Sequence, residues 1–453
     1  MEIVIVGGGL VGALLALLLG RRGYRVRVLE RRPDMRVAGY TGGRSINLAL
    51  SDRGIRALER AGIAESVLPL TIPMRGRMIH HEDSTLDFQP YGIAGQAIRS
   101  LSRGHLNLVL VEAADRLPNV TLEFEWRCVG VEPDVPAATF VHIATGEQRR
   151  IECDVLIGAD GAFSAVRDAL HYRDRYNYCQ EYLEYGYKEL TIPAAEGGGF
   201  RMEPNALHIW PRHSFMMIAL PNPEGTFTCT LFLPFEGEVS FEQLCTRADV
   251  SAFFERFFPD AVPHMPTLLE DFEHNPLSSL VTIRCYPWVV GRTVLIGDAA
   301  HAIVPFYGQG MNAGFEDCRI LDELLDQYRD DWDRALAAYQ RLRKPAGDAV
   351  AQLALDNFVE MRDKVADPRF VLRKKIEVLL FEHFPELYTP LYTLVTFTPE
   401  VSYDEAYRRG QANERVISEI MALPDIAQRW NDPSMLETYR RILEHHLHTP
   451  THA

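Results

Sequence analysis

Three glycines near the start of the chain have the spacing that binding of a dinucleotide requires. Gly7, Gly9 and Gly12 form the pattern G-x-G-x-x-G between the apolar run EIVIV and a segment rich in leucine and alanine. The first glycine permits a tight turn, the second lets the backbone approach a pyrophosphate, and the third lets a helix pack against the strand. Glu30 follows about twenty residues later, where a carboxylate accepts hydrogen bonds from the hydroxyl groups of an adenosine ribose.

The acidic residue restricts the choice of dinucleotide. A carboxylate at position 30 suits FAD or NAD and would repel the 2′-phosphate of NADP. A flavoprotein with two nucleotide-binding units would carry a second glycine pattern near the middle of the chain, and the sequence has only the first one. The sequence therefore predicts one permanently bound FAD, with any nicotinamide cofactor binding transiently at the surface.

A second group of candidate residues lies in LIGDAAHAIVPFYGQGMNAGFED, residues 295–317. Asp298 ends an apolar run, where its carboxylate can bond the ribityl hydroxyl groups of a flavin. Gly308, Gly310, Met311 and Asn312 can bring backbone N–H groups to the flavin ring, and these groups would stabilise negative charge on the reduced ring. The segment contains neither a nucleophile nor a pair of catalytic carboxylates, so we expect the cofactor to supply the chemistry.

The glycine turn, Glu30 and Asp298 can be brought together only if parallel strands end beside one another and lead into helices. Residues 1–30 read as strand, glycine turn, helix and strand, and residues 152–170 again read as strand, glycine turn and helix. Between about 180 and 285, alternating runs such as FMMIALP and FTCTLFLPF predict an antiparallel sheet. After residue 318 the pattern is mostly helical.

The predicted fold class is therefore α/β. A discontinuous Rossmann-like FAD-binding domain carries an inserted antiparallel-sheet substrate domain and is followed by C-terminal helices. The expected boundaries are 1–70, 97–178 and 286–330 for the FAD-binding domain, 71–96 and 179–285 for the substrate domain, and 331–453 for the helical region.

The composition limits the classes of partner. The chain has 453 residues and a net charge of −15, which argues against nucleic acid or an anionic membrane surface as the main partner. The seven cysteines show no CxxC pair and no regular spacing, a pattern typical of a reducing cytosol. The sequence predicts neither a signal peptide nor a membrane span, so we expect a cytoplasmic protein without a stable membrane anchor.

Three motifs together resemble the single-component FAD-dependent aromatic hydroxylases, the para-hydroxybenzoate hydroxylase-like family. They are the opening glycine pattern, the GADG segment at 158–161 with Arg167, and the Gly-Asp pair at 297–298. Further segments are similar to the kynurenine 3-monooxygenase family: GRSINLALSDRG (43–54), MRGRM (74–78), QPYG (89–92), EPNALHIWP (203–211), DFEHNP (271–276), PFYGQGMNAGFEDC (305–318) and DNFVEM (356–361).

The resemblance implies FAD as the cofactor, NADPH as a transient co-substrate, and roles for particular residues. Four polar residues would contact the substrate: Arg77, Tyr91, Asn357 and Tyr392. Three apolar residues would pack on its ring: Pro305, Phe306 and Met361. Two residues would lie near FAD: Arg103 and Asp160. The residue types agree with these roles, because a guanidinium binds an α-carboxylate through two charge-assisted hydrogen bonds.

The implied reaction is hydroxylation of L-kynurenine to 3-hydroxy-L-kynurenine. NADPH would reduce FAD, and the reduced flavin would react with O2 to give a C4a-hydroperoxide that the substrate ring attacks ortho to its amino group. Because that amino group already activates the ring, neither a catalytic side chain nor a metal site is predicted. Two alternatives remain open: a hydroxylase of another anionic aromatic compound, such as a benzoate, and an FAD-binding redox protein without hydroxylase turnover.

Tyr307 departs from the family pattern, which has histidine or phenylalanine at this position. The tyrosine keeps an aromatic ring there, so shielding of the flavin region should survive, but any role of an imidazole should not. His301 is expected to be structural rather than catalytic. His80 and His81 lack partners at the spacing of a metal site, and the histidine-rich end of the chain is not expected to form one.

Overall fold

The computed structural model describes residues 1–38, 47–92, 95–364 and 367–447. Parts of the segment 43–54 and of the region 331–453 therefore lie outside the described residues. The strands, in chain order, are β1 (Glu2–Val6), β2 (Arg25–Leu29), β3 (Leu48–Leu50), β4 (Ile72–Met74), β5 (Gly76–His80), β6 (Leu86–Pro90), β7 (Ile98–Leu101), β8 (Val120–Glu123), β9 (Trp126–Glu132), β10 (Ala137–His142), β11 (Gln148–Glu152), β12 (Val155–Gly158), β13 (Asn177–Ile192), β14 (Ala206–Arg212), β15 (Phe215–Pro221), β16 (Phe227–Pro234), β17 (Ser278–Tyr286), β18 (Val289–Val290) and β19 (Thr293–Leu295).

The α-helices, in chain order, are α1 (Leu10–Arg21), α2 (Met35–Ala38), α3 (Asp52–Arg60), α4 (Ala64–Val67), α5 (Arg103–Asp115), α6 (Ala165–His171), α7 (Arg247–Phe257), α8 (Leu268–His274), α9 (Asp298–His301), α10 (Gly310–Gln327), α11 (Trp332–Val359), α12 (Pro368–His383), α13 (Leu391–Thr396), α14 (Tyr403–Met421), α15 (Ile426–Arg429) and α16 (Leu436–Leu447). A 3₁₀ turn at Pro305–Tyr307 precedes α10, and a π-helical turn at Glu360–Lys364 follows α11. Among the described residues, no helix is both long enough and apolar enough to cross a membrane.

A six-stranded sheet in the described part of the chain has the order β18-β19-β12-β1-β2-β8. All neighbouring pairs are parallel except β18 and β19. Strands β1 and β12 are almost wholly buried, and residues of α1, α5 and α10 pack on the sheet in one hydrophobic core. Because parallel strands end at the same edge of a sheet, the turns after β1, β2, β12 and β19 meet there.

A seven-stranded sheet has the order β17-β13-β16-β15-β14-β5-β6 among the described residues. Its pairs are antiparallel except for the parallel pair of β14 and β5. The chain thus contributes β5 and β6 to this sheet long before the other strands, which is why Arg77 and Tyr91 come to face residues from much later in the sequence. The expected α/β fold class, with a parallel Rossmann-like sheet, an antiparallel sheet and C-terminal helices, is confirmed; the domain boundaries remain predictions.

The segment 180–285 is not sheet throughout. Helices α7 and α8 interrupt it, and their apolar residues pack on β13, β15 and β16. Helix α7 begins with a capping box, in which the Thr246 hydroxyl accepts the Asp249 N–H and the Asp249 carboxylate accepts the Thr246 N–H. The prediction of an antiparallel sheet for residues 180–285 is therefore incomplete. The pattern T-x-x-D at Thr246–Asp249 is the local signal that indicates the start of helix α7.

Candidate active site

The turn after β1 leaves no room for side chains at two of its glycines. Gly7 has a φ of +101°, and a Cβ there would lie 2.6 Å from the carbonyl oxygen of Ala159. A Cβ on Gly12 would lie 2.0 Å from the carbonyl oxygen of Gly7, so the start of α1 approaches the turn as closely as backbone atoms allow. Gly9, in contrast, has no atom within 4 Å of its Cβ position and faces open space.

Glu30 is held at the end of β2 by backbone groups. Its carboxylate accepts the N–H of Gly8 at 2.7 Å and the N–H of Arg32 at 3.0 Å. These bonds fix the acidic group beside the glycine turn, where the sequence places the ribose of a dinucleotide.

Asp160 follows β12 with one oxygen engaged and one without a partner. Its Oδ2 atom accepts the N–H of Ala165 at 2.7 Å, whereas Oδ1 is buried and has no hydrogen-bond partner. Burial raises the pKa of this carboxyl group. A buried acceptor without a donor is costly, so a ligand hydroxyl group or N–H at this place would be stabilised.

Arg167 connects the Asp160 turn to the Asp298 turn. Its buried guanidinium donates to the carbonyl of Ala162 at 2.7 Å and to the carbonyl of Ala299 at 3.1 Å. Because Asp298 is the first residue of α9, this arginine fixes the distance between the two acidic groups.

The loop 305–312 lines the same space. Gly308 has a φ of +65°, a left-handed conformation that glycine adopts without strain. The buried Asn312 side chain holds the loop, since it donates to the carbonyls of Gly308 and Ala49, both at 2.8 Å, and accepts the N–H of Ser51 at 3.0 Å. The loop is thus fastened to β3 and to the start of α3.

One cavity of about 480 Å³ joins these turns to the seven-stranded sheet. Every residue predicted to contact FAD or substrate lines this cavity except Gly12 and Asn312, which support its wall from behind. Arg103, the first residue of α5, is exposed at its margin. The tight glycine turn, the carboxylates of Glu30 and Asp298, and the unpartnered Oδ1 atom of Asp160 suit a bound FAD.

The far end of the cavity is formed by a buried arginine and two stacked phenol rings. The rings of Tyr91 and Tyr392 lie 4.9 Å apart and 10° from parallel, and the Arg77 guanidinium lies 5.2 Å from the Tyr392 ring. The Nε atom of Arg77 and the hydroxyl of Tyr91 are buried without a hydrogen-bond partner. Burial raises the pKa of Tyr91, so its hydroxyl is a neutral hydrogen-bond donor.

Aromatic and apolar side chains of the loop 305–312 and of neighbouring elements line the cavity beside these rings. The ring of Phe306 stacks on Phe358 at 4.2 Å and lies 4.8 Å from Phe232. The amide nitrogen of Asn357 donates to the carbonyl of Phe306 at 2.7 Å and lies 3.1 Å from the Met361 sulfur. The N–H groups of Asn357 are therefore directed at the protein, which fixes the position of Phe306.

Comparison with known proteins agrees with this architecture. The FAD binding domain family matches residues 1–354. The chain is 50% identical to the kynurenine 3-monooxygenase of Myxococcus xanthus over 92% of its length and 90% of that protein. It is 46% identical to the enzyme of Christiangramia forsetii (96% and 97% covered) and 43% identical to that of Sus scrofa (92% and 88% covered).

The chain belongs to the kynurenine 3-monooxygenase family.

Solved structures share the fold of this family member at lower sequence identity. The tetrameric form of 2-methyl-3-hydroxypyridine-5-carboxylic acid oxygenase matches with a TM-score of 0.66 and 23% identity, and it covers 82% of this chain and 95% of that one. PqsL of P. aeruginosa in complex with 2-aminobenzoylacetate matches with a TM-score of 0.62 and 24% identity, covering 80% and 99%. The prediction of a flavoprotein monooxygenase with FAD as cofactor is confirmed.

Glu360 of this kynurenine 3-monooxygenase family member does not line the cavity but lies beside Arg77, which does, and the sequence pattern did not single it out. Its Oε1 atom lies 3.7 Å from Nη1 of Arg77. Glu360 belongs to the DNFVEM segment that carries part of the family resemblance. The cavity wall also includes Ile218, Leu220 and Phe232, which the alternating pattern of β15 and β16 could have indicated.

Tyr307 lines the cavity and extends the stack of rings, because it lies 5.6 Å from Tyr392 and 19° from parallel. Burial raises the pKa of Tyr307. His301 does not line the cavity; it is buried and its Nε2 atom lies 2.6 Å from the Asp317 carboxylate. Among the described residues no cluster of histidine, cysteine and acidic groups suits a metal ion.

Proposed function

We propose that this chain hydroxylates L-kynurenine at the ring carbon next to the ring amino group, forming 3-hydroxy-L-kynurenine. The overall reaction consumes NADPH, a proton and O2, and it releases NADP⁺ and water. The observation that carries this proposal is Arg77, a buried cation that lines the cavity beside the rings of Tyr91 and Tyr392.

The substrate end suits the amino-acid group of kynurenine. Arg77 and the Tyr91 hydroxyl would donate hydrogen bonds to the α-carboxylate, since both residues line the cavity. Glu360, 3.7 Å from Arg77, would place a negative charge near the α-ammonium group. A neighbouring cation and anion match the two charges of an amino acid better than the single charge of a benzoate.

The middle of the cavity suits the aromatic ring. Phe306, Phe232 and Ile218 offer an apolar surface in the cavity that Arg77 also lines. FAD, when bound, takes up hydride from NADPH and activates O2. Around it the protein orients the substrate ring and keeps water from the reacting atoms, and Phe306 and Met361, both buried, serve that purpose.

Turnover of the purified FAD-bound protein tests the proposal. L-Kynurenine should accelerate NADPH oxidation, and the product should carry one added oxygen atom by mass spectrometry and match 3-hydroxy-L-kynurenine by absorbance. NADH in place of NADPH tests the nicotinamide preference in the same assay. A benzoate that replaces L-kynurenine with equal efficiency would contradict the proposal in favour of another aromatic hydroxylase. NADPH oxidation without any hydroxylated product would favour an FAD-binding redox protein.

A further inference from the structure

Arg53, on α3, is a buried arginine that the cavity does not include. Its guanidinium donates to the carbonyls of Val395 at 2.6 Å, Leu394 at 3.1 Å and Val401 at 2.5 Å. Leu394 and Val395 lie in the last turn of α13, where carbonyl groups lack partners within the helix. A cation at this end also interacts favourably with the helix dipole, so Arg53 caps α13.

The same guanidinium is tied to the helix that follows the loop 305–312. Its Nη1 atom donates to Oε1 of Glu316 at 2.8 Å, and the other oxygen of Glu316 accepts from Arg343 at 2.6 Å. Burial alone raises the pKa of Glu316, but Arg343 and Arg53 outweigh it and hold the pKa below its usual value. Glu316 is therefore a charged anchor on α10, six positions after the helix begins at Gly310.

Tyr403 provides a second connection to the loop. Its ring lies 4.1 Å from the Arg53 guanidinium, and its hydroxyl donates to Oε1 of Gln309 at 2.8 Å. Gln309 stands between Gly308 and Gly310, in the loop that borders FAD. Arg53 thus joins α13 to α10 by an ion pair, and it contacts the ring of Tyr403, which bonds the loop.

Helix α13 carries Tyr392, whose ring lies between Tyr91 and Tyr307 at the substrate end. We propose that Arg53 is a positioning residue for hydroxylation: it fixes Tyr392, and with it the substrate end of the cavity, relative to the loop that borders FAD. This inference rests on the proposed function. Reacting atoms must approach within about 3–3.5 Å, and a displacement of about 1 Å can lower the rate about 100-fold.

The replacement Arg53→Lys tests this role. It keeps a cation beside Glu316, but a single ammonium group cannot reach that carboxylate and three carbonyls at once. We expect FAD content to be unchanged, KM for L-kynurenine to rise about tenfold, and hydroxylated product per NADPH to fall by about half or more. A loss of general stability would not produce this combination in protein that retains FAD.

Arg56→Lys is the matched control. Arg56 lies on the same helix and bonds Glu400, the neighbour of Val401, at 2.7 Å. Its side chain is partly exposed, and among the described residues it makes no hydrogen bond to a carbonyl of α13. We expect its KM and product yield to equal those of the unmodified protein. If Arg53→Lys behaves like this control while the unmodified protein hydroxylates L-kynurenine, the positioning role is overturned and the proposed function stands. If the unmodified protein forms no hydroxylated product, both proposals are overturned.

If Arg53→Lys cannot be purified with FAD, Tyr403→Leu tests the positioning role instead. It removes the ring next to the guanidinium and the bond to Gln309 without changing any charge. The same rise in KM and the same loss of product per NADPH are expected, and unchanged values would overturn the proposal.

Discussion

The proposed FAD end of the cavity, around Gly7 and Glu30, is built from backbone turns. The proposed substrate end, around Arg77 and Tyr392, is built from side chains on elements far apart in the sequence. At the FAD end, Gly7 and Gly12 leave room only for backbone, and the Glu30 carboxylate is held by two backbone N–H groups. At the substrate end, Arg77 and Tyr392 come from a strand and a helix that are separated by more than half of the chain. Displacing the backbone at the first end should therefore abolish FAD binding. Removing single side chains at the second end should weaken substrate binding by different amounts.

The largest effect is expected at Gly12. In Gly12→Val the added Cβ would lie 2.0 Å from the Gly7 carbonyl oxygen, so the turn must open and FAD should be lost. The ratio of flavin to protein absorbance measures this. Gly9→Ala is the control for the effect of a Cβ atom on the turn itself, because a Cβ at Gly9 meets no protein atom. The thermal unfolding of Gly9→Ala without FAD should therefore match that of the unmodified protein. Full FAD content in Gly12→Val would show that the turn is not the binding element.

Next in size is the effect of Arg77→Ala. Removing the guanidinium should raise KM for L-kynurenine about 100-fold, equivalent to about 3 kcal/mol of charge-assisted hydrogen bonding. FAD should remain bound, because Arg77 lies at the other end of the cavity. Steady-state kinetics together with flavin absorbance check both statements. An unchanged KM would remove Arg77 from the substrate site.

Acidification should weaken the sheet of the substrate end. Burial lowers the pKa of His208 to about 4, and its ring lies 2.8 Å from His80, which bonds Asp260 at 2.6 Å. His208 stays neutral in the folded chain while the unfolded chain binds a proton below about pH 6.5, so the free energy of unfolding should fall by about 3 kcal/mol as the pH drops toward about 4.

Urea unfolding at neutral pH and at about pH 5 measures this loss of stability. His208→Gln removes the titrating ring, so its stability should change less between the two pH values. An equal pH dependence in His208→Gln and in the unmodified protein would assign the effect to other groups.

The smallest effect is expected at Glu360. Glu360→Gln keeps the shape of the side chain but removes its charge, which should raise KM for L-kynurenine about tenfold. The analogue that lacks the α-amino group serves as the control substrate, since it should be used equally by both proteins. A KM that rises equally for both substrates would mean that Glu360 acts only by holding Arg77.

The same division explains what could be predicted from the sequence. The glycine pattern, Glu30 and Asp298 are local signals at strand ends, and their physical requirements can be read from neighbouring residues. Arg77 and Tyr392 carry no local signal, so only the resemblance to the kynurenine 3-monooxygenase family indicated them, and their roles remain predictions. Arg53 is part of one of the segments that support the resemblance, but its contacts with α13 depend on tertiary structure that no spacing shows.

Two further differences have local causes. The pattern of LSRGHLNLVLVEAADRL predicts a helix over 101–117, whereas helix α5 begins at Arg103, because Ser102 is the N-cap and accepts the N–H of His105. Asn312 was expected to present backbone to the flavin, and the structure shows its side chain buried in bonds to β3 and Gly308. In both cases a polar side chain satisfies backbone groups, a use that a hydrophobic pattern does not reveal.

The central claim is that Arg77 binds the α-carboxylate while the ring of the same molecule reaches the FAD end. The most direct measurement compares L-kynurenine with its decarboxylated amine in the unmodified protein and in Arg77→Ala, by kcat/KM for hydroxylated product. The account predicts that Arg77→Ala lowers kcat/KM about 100-fold for L-kynurenine and changes it little for the amine. An equal loss for both substrates would contradict it.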